Sequence, residues 1–76
     1  MISEDVKKLF KNFSDSIRTQ NAIMVNNIEN TKSIFLSKYK DDEINDELNR
    51  LQQEGYIQQQ ENVVVVTPKG KDYFLN

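Results

Sequence analysis

The stretch Gly55–Phe74, GYIQQQENVVVVTPKGKDYF, decides how the rest of this chain is read. Tyr56 to Gln60 and Val63 to Thr67 are strand-length segments separated by Glu61-Asn62. Valine has high β-propensity, and an Asn in a two-residue loop tolerates positive φ, so the stretch predicts a β-hairpin. Four consecutive valines suit a strand covered on both faces, or a partly exposed edge open to a partner. Thr67-Pro68 then starts a new helix. The threonine caps it, and proline sits at the first helical position, where its missing N–H has no intrahelical partner to lose. Tyr73, Phe74 and Leu75 fold back onto the core.

Working towards the N-terminus, Gly55 stands where a helix ends in a left-handed residue. Ile44, Leu48 and Leu51 fall at helical spacing, predicting a helix from Asp42 to Glu54, with Lys40-Asp41-Asp42 as turn and cap. Asn30-Thr31 supplies a further cap signal for a short helix from Lys32 to Tyr39, carrying Ile34, Phe35, Leu36 and Tyr39. Ser3 caps a first helix, and Glu4 and Asp5 suit the positive end of its dipole. Val6, Leu9, Phe10, Phe13 and Ile17 then form a helical stripe, which Met24 and Ile28 extend. The polar run Arg18-Thr19-Gln20-Asn21 weakens that stripe. One helix from 3 to 28 and two helices broken near Asn21 both fit. Phe10, Ile17 and Met24 recur at heptad spacing, which reads as core or, with Gln20 and Asn27 beside them, as a homodimer seam.

A chain of 76 residues makes a single domain, 1–76, with a marginal core for which oligomerisation is a natural support. Histidine and cysteine are absent, which removes the commonest general base, thiol chemistry and the usual ligands of structural zinc. No nucleophile–base arrangement stands out, so an enzyme is not expected, and neither is a cofactor. The acids Asp41, Asp42, Glu43, Asp46 and Glu47 do not follow a calcium-loop spacing, and they open a helix whose dipole favours them, so no metal is expected either. No apolar run approaches the roughly 20 residues that span a bilayer, and no signal-peptide core is visible. These features predict a soluble, cytoplasmic protein.

Leu51-Gln52-Gln53-Glu54-Gly55-Tyr56-Ile57 resembles the end of the recognition helix in winged helix-turn-helix regulators of the MarR and PadR type. Val66-Thr67-Pro68-Lys69-Gly70-Lys71-Asp72-Tyr73-Phe74 is similar to the segment after the wing in the same families. The resemblance covers residues 44–74, and in the N-terminal half it extends to helix order only. It implies an α+β, mostly helical fold: three to four helices, a two-stranded β-hairpin wing and a short C-terminal helix. It also implies a DNA-binding transcriptional regulator, acting as a dimer on double-stranded DNA. Lys32–Tyr39 would be the first helix of the helix-turn-helix and Asp42–Glu54 the recognition helix. With Ile44, Leu48 and Leu51 inward, Asn45, Asn49, Arg50 and Gln53 face outward. Asn and Gln can read adenine in a bidentate way, and Arg can read guanine. Lys38 and Lys40 would hold phosphates.

The charge distribution opposes that function. Residues 1–40 carry a net +3, residues 41–62 a net −6, and the last fourteen a net +1. Glu43, Asp46 and Glu47 would lie near phosphates, and the hairpin tip carries Glu61 and no cation. The alternative is a protein–protein adaptor or inhibitor that uses the same scaffold to meet a partner with a basic surface. Lys7, Lys8, Lys11 and Arg18 read as a solvated face that could also hold a phosphate backbone or an acidic partner.

Overall fold

The chain, described over residues 1–76 by a computed structural model, runs helix, helix, strand, helix, helix, strand, strand, helix. The elements are α1 (Ile2–Lys11), α2 (Ser14–Gln20), β1 (Ala22–Met24), α3 (Val25–Phe35), α4 (Asp41–Gln53), β2 (Ile57–Gln59), β3 (Val63–Val66) and α5 (Pro68–Leu75). The result is a mostly helical α+β architecture with a small antiparallel sheet. No helix is long and apolar enough to cross a membrane.

The C-terminal half is organised by two backbone junctions that dock on each other. α4 ends in a paired turn. The Gly55 N–H bonds to the Gln52 carbonyl at 3.0 Å and the Tyr56 N–H to the Leu51 carbonyl at 2.9 Å. This is a Schellman motif, and it needs the left-handed residue that Gly55 provides at φ 82°. Thr67 then accepts the Gly70 N–H on its hydroxyl at 3.0 Å, donates that hydroxyl to the Gly55 carbonyl at 2.5 Å, and bonds its own N–H to the Tyr56 carbonyl at 3.1 Å. Lys69 Nζ closes the junction on the Glu54 carbonyl at 2.7 Å, lying over the Tyr56 ring. Gly70 packs so tightly here that a Cβ would lie 1.9 Å from the Tyr56 carbonyl oxygen.

The sheet has order β1-β3-β2. β3 is therefore its centre, with Ile57 opposite Val66 on one side and Ile23 opposite Val64 on the other. That placement explains the four valines: Val64 and Val66 are buried, Val63 and Val65 half-buried, and the run is paired with β1 over Val63–Val65 and with β2 over Val64–Val66. The edge reading of this run is overturned, because β1 occupies the edge. Both true edges are blunted by a side chain from an adjoining helix. Ser16 Oγ of α2 donates to the Ala22 carbonyl at 2.5 Å, and Gln52 Oε1 of α4 accepts the Gln59 N–H at 2.7 Å. Free strand edges invite pairing with other chains, and these two helices limit it.

The N-terminal half departs from expectation at three places. The first helix breaks twice, not once or never. α1 stops at Lys11, and Ser14-Asp15-Ser16, residues that suit a helix start better than its interior, open α2. α2 stops at Asn21, the one non-glycine residue with positive φ (55°). Asparagine tolerates this conformation, and here it turns the chain into β1, bonding its carbonyl to the Val66 N–H at 2.7 Å. The positive φ expected at Asn62 is thus found at Asn21 instead.

The second departure concerns Asn30-Thr31, which do not start a helix. They lie inside α3, where the Thr31 hydroxyl bonds back to the Asn27 carbonyl of its own preceding turn at 2.5 Å. The helix expected over Lys32–Tyr39 is the end of this longer one, and Ser37–Tyr39 belong to the connection to α4. The third concerns Ser3, which does not cap: α1 begins at Ile2, and the Ser3 hydroxyl turns towards Glu47 of α4.

These breaks dismantle the heptad seam. Phe10 and Ile17 are fully buried in this chain's own core, on two different helices, while Met24 sits on β1 and is 47% exposed. The three residues share no helical face. Phe10 instead stacks on Phe74 of α5, ring centroids 4.5 Å apart, within one cluster of thirteen buried apolar residues drawn from every helix and strand and from Leu36 after α3.

Candidate nucleic-acid interface

α4 is positioned by three turns of apolar contact and by its ends. Ile44 and Leu51 are buried and Leu48 half-buried, as their spacing requires. Asp41, Asp42 and Glu43 fill the first turn, where the helix dipole favours them, and Glu43 Oε1 accepts the Lys40 N–H at 3.1 Å. Lys40 is therefore the residue before the helix, and Asp41 rather than Asp42 is its first. No group of three or more acidic side chains converges where a metal ion could sit.

The rest of the helix surface divides into two flanks. One faces α1 and carries Glu47, Arg50 and Glu54. Glu47 is 6% exposed, and Arg50 grips it with Nε to Oε1 at 2.9 Å and Nη2 to Oε2 at 2.7 Å. The remaining Nη1 bonds to Glu54. Arg50 holds the Glu47 carboxyl below the usual carboxylate range, with the Ser3 hydroxyl assisting, and the two glutamates together raise Arg50 above its ordinary value. The other flank is open. Asp42, Asn45, Asp46, Asn49 and Gln53 are all exposed along it.

The six residues expected to contact DNA therefore separate. Asn45, Asn49 and Gln53 share the open flank, with no side-chain hydrogen bond in the fold. Arg50 does not share it, since its whole guanidinium fork is engaged within α4. Lys38 lies in the connection before α4, 3.6 Å from Asp5 of α1 and over the Tyr39 ring. Lys40 is exposed at the helix start. Glu47, expected near phosphates, is instead tucked against α1 and neutralised.

The i, i+3 and i, i+4 spacing of Glu47, Arg50 and Glu54 was the signal in the sequence for this clamp, since such pairs meet on one helix face. Between α3, α4 and the hairpin there is a cleft of about 60 Å³, floored by Val25, Ile28, Leu48 and Val64 and rimmed by Asn45, Gln59 and the Glu29–Lys32 ion pair. Its volume suits a water or two rather than a ligand.

The remaining cations lie elsewhere. Lys69 and Lys71 are engaged with the Glu54 carbonyl and the Asn21 side chain. Lys7, Lys8 and Lys11 belong to α1, and Arg18 to α2. Compared with known proteins, the chain matches no family model, and no curated protein or solved structure is significantly similar to it.

Proposed function

We propose that this chain is a winged-helix domain and that it works as a protein-interaction adaptor, presenting the open flank of α4 to a basic partner. The winged-helix reading is supported by the consecutive helices α3 and α4, the glycine turn into the β2–β3 hairpin, and the Thr-Pro restart, all in the order the resemblance implies. The adaptor reading is carried by one observation. Arg50, the single cation of α4, is consumed by Glu47 and Glu54, so Asp41, Asp42 and Asp46 stand exposed with no compensating charge on the helix. Against a phosphate backbone that arrangement is repulsive, and against a lysine- or arginine-rich surface it is complementary.

A second reading, the DNA-binding regulator, is favoured by the free amides of Asn45, Asn49 and Gln53, which suit adenine recognition. Titrations of the full chain with an oligolysine peptide and with a random DNA duplex, at about 50 mM salt, separate the two. The adaptor reading expects the peptide to bind, D42N/D46N to weaken it several-fold, and E61Q at the hairpin tip to leave it unchanged. Loss of duplex binding in N49A/Q53A, with no peptide binding in the wild type, overturns it in favour of the regulator.

A further inference from the structure

The lysines of α1 form the one part of the surface where several cations stand together without a carboxylate partner. Lys7, Lys8 and Lys11 line an open concavity of about 230 Å³ with Glu4 and Asn76, and no apolar residue contributes to it. Each of the four ion pairs in the molecule involves other cations, namely Lys32, Lys38 and Arg50. Lys8 and Lys11 are exposed, while Lys7 is half-buried with its ammonium 4.5 Å above the Tyr73 ring, which fixes its direction. Glu4 sits at the far end of the same face and pairs with none of the three.

The last-turn position of Lys8 and Lys11 suits the helix dipole, but this accounts for neither Lys7 nor the concavity. Lys7 and Lys11 stand one turn apart, about 6 Å along the helix, a separation comparable to that between neighbouring phosphates on one nucleic-acid strand. A row of that length matches repeated phosphates better than one compact anion. The acidic flank of α4 repels the same polymer, so the charge distribution also sets which side of the domain meets it.

We infer that the Lys7-Lys8-Lys11 face of α1 is a phosphate-binding surface that holds a nucleic-acid backbone without reading its sequence. This surface is separate from the α4 flank and does not depend on what that flank binds. Lysine contacts phosphate as a point charge, so the contact carries no base information and is strongly salt-dependent.

Fluorescence anisotropy of a labelled random duplex against the full chain tests it, with salt varied from about 50 to 200 mM. Three phosphate contacts give a slope of log K against log salt near −2.7, at about 0.9 per contact. K8Q/K11Q should reduce the slope by about 1.8 and weaken low-salt binding about tenfold or more, while D42N/D46N should not weaken it. Circular dichroism checks that the exposed double variant remains folded.

Competition identifies the source of the phosphate. Displacement by duplex but not by equimolar pyrophosphate supports a polymer backbone. Equal displacement by pyrophosphate assigns the surface to small phosphates and overturns the backbone assignment. Lysine-dependent binding of polyglutamate as tight as that of duplex overturns phosphate recognition altogether, as does absence of duplex binding or a slope unchanged in K8Q/K11Q.

Discussion

The two halves of this domain are held by different kinds of contact. From Leu51 to Phe74 the chain is fixed through its backbone groups: a Schellman turn, a threonine hydroxyl that caps a backbone N–H and a carbonyl, and a glycine pressed against a carbonyl, all within one junction. From Ile2 to Tyr39 the β1–β3 ladder is the backbone tie to the rest, and the helices are otherwise fixed by side chains, with Phe10, Ile17 and Ile28 filling the core and Asp5, Lys38 and Tyr39 pairing at the rim. Backbone junctions demand particular residues, because only glycine, proline or a capping hydroxyl fits. Side-chain packing demands only apolar volume in the right place, which many sequences satisfy. The resemblance to winged-helix regulators lies in the first kind of region, and its Leu-Gly-Tyr and Thr-Pro-Lys-Gly halves are the two sides of that single junction. What it records is how the hairpin is anchored, not what α4 touches.

Gly70→Ala is the most direct way to break the backbone-held half. The new methyl would overlap the Tyr56 carbonyl oxygen at 1.9 Å, and relief requires α5 to move away from the hairpin, taking Phe74 off Phe10. A loss of about 3 kcal/mol or more is expected, against a total of roughly 5 kcal/mol for a domain of this size. Urea denaturation should show a much lower midpoint or no cooperative transition. Gly55→Ala makes a useful contrast at the other side of the junction. No atom lies within 4 Å of its added Cβ, so only the left-handed backbone is strained, at about 1–2 kcal/mol. If both substitutions cost the same, the junction is not held by close approach.

Between these two in expected size lies Arg50→Met, which tests the clamp that Arg50 places on the buried Glu47. Removing the guanidinium strands a carboxylate that is 6% exposed, and about 2 kcal/mol is expected, moderated because the Arg50 side chain is itself 41% exposed. The pH dependence follows from the direction of the shift. The Glu47 carboxyl is lowered in the fold, so its contribution is fully present above the unfolded value of 4.5 and is lost as pH falls through the lower folded value. Arg50→Met should remove that acid-side loss while lowering stability at neutral pH. Unfolding midpoints measured at pH 7 and at pH 3 read both effects.

The same division explains what could be read from the chain in advance. Gly55 and the Thr67-Pro68 start were legible because each depends on a residue with a special backbone role, and α4 and the hairpin because helical periodicity and the valine run mark them. β1 was not, since Ala22-Ile23-Met24 has no strand signature of its own and becomes a strand only by pairing with β3. The break at Asn12-Phe13 carries neither glycine nor proline, and the cap signal at Asn30-Thr31 is overridden by the packing of Ile28 and Leu36 on either side of it. On the candidate surface, helical periodicity correctly sent Asn45, Asn49 and Gln53 outward. It could not show that Arg50 is engaged, because periodicity places a side chain on a face without saying which neighbour it prefers. The separation of an acidic α4 flank from a lysine-bearing α1 was visible in the sequence as blocks of charge, and the fold turns those blocks into two distinct surfaces.

Tyr39→Phe, the mildest change, sharpens the comparison from the side-chain-held half. The Tyr39 hydroxyl donates to Asp5 Oδ2 at 2.5 Å across 34 positions of sequence, tying the α3–α4 connection to α1. That bond lowers the Asp5 carboxyl, with Lys38 assisting, and pushes Tyr39 up to about 12. Both groups are solvent-accessible, so only a slight drop in urea midpoint is expected at pH 7. The signs differ at the two ends of the pH range. The contribution of Asp5 is present above its unfolded value of 3.8 and disappears in acid, whereas that of Tyr39 is present below 10.0 and disappears as pH rises through about 12. Tyr39→Phe removes the partner from one and the titration from the other, so stability should become flatter with pH at both extremes. Ultraviolet titration of the wild type should show one tyrosine ionising near 12, and that step should be the one missing from the variant. A step that persists would mean the bond does not hold in solution, and the α3–α4 connection would then be anchored by buried Leu36, the partly buried ring of Tyr39 and the Lys38–Asp5 pair.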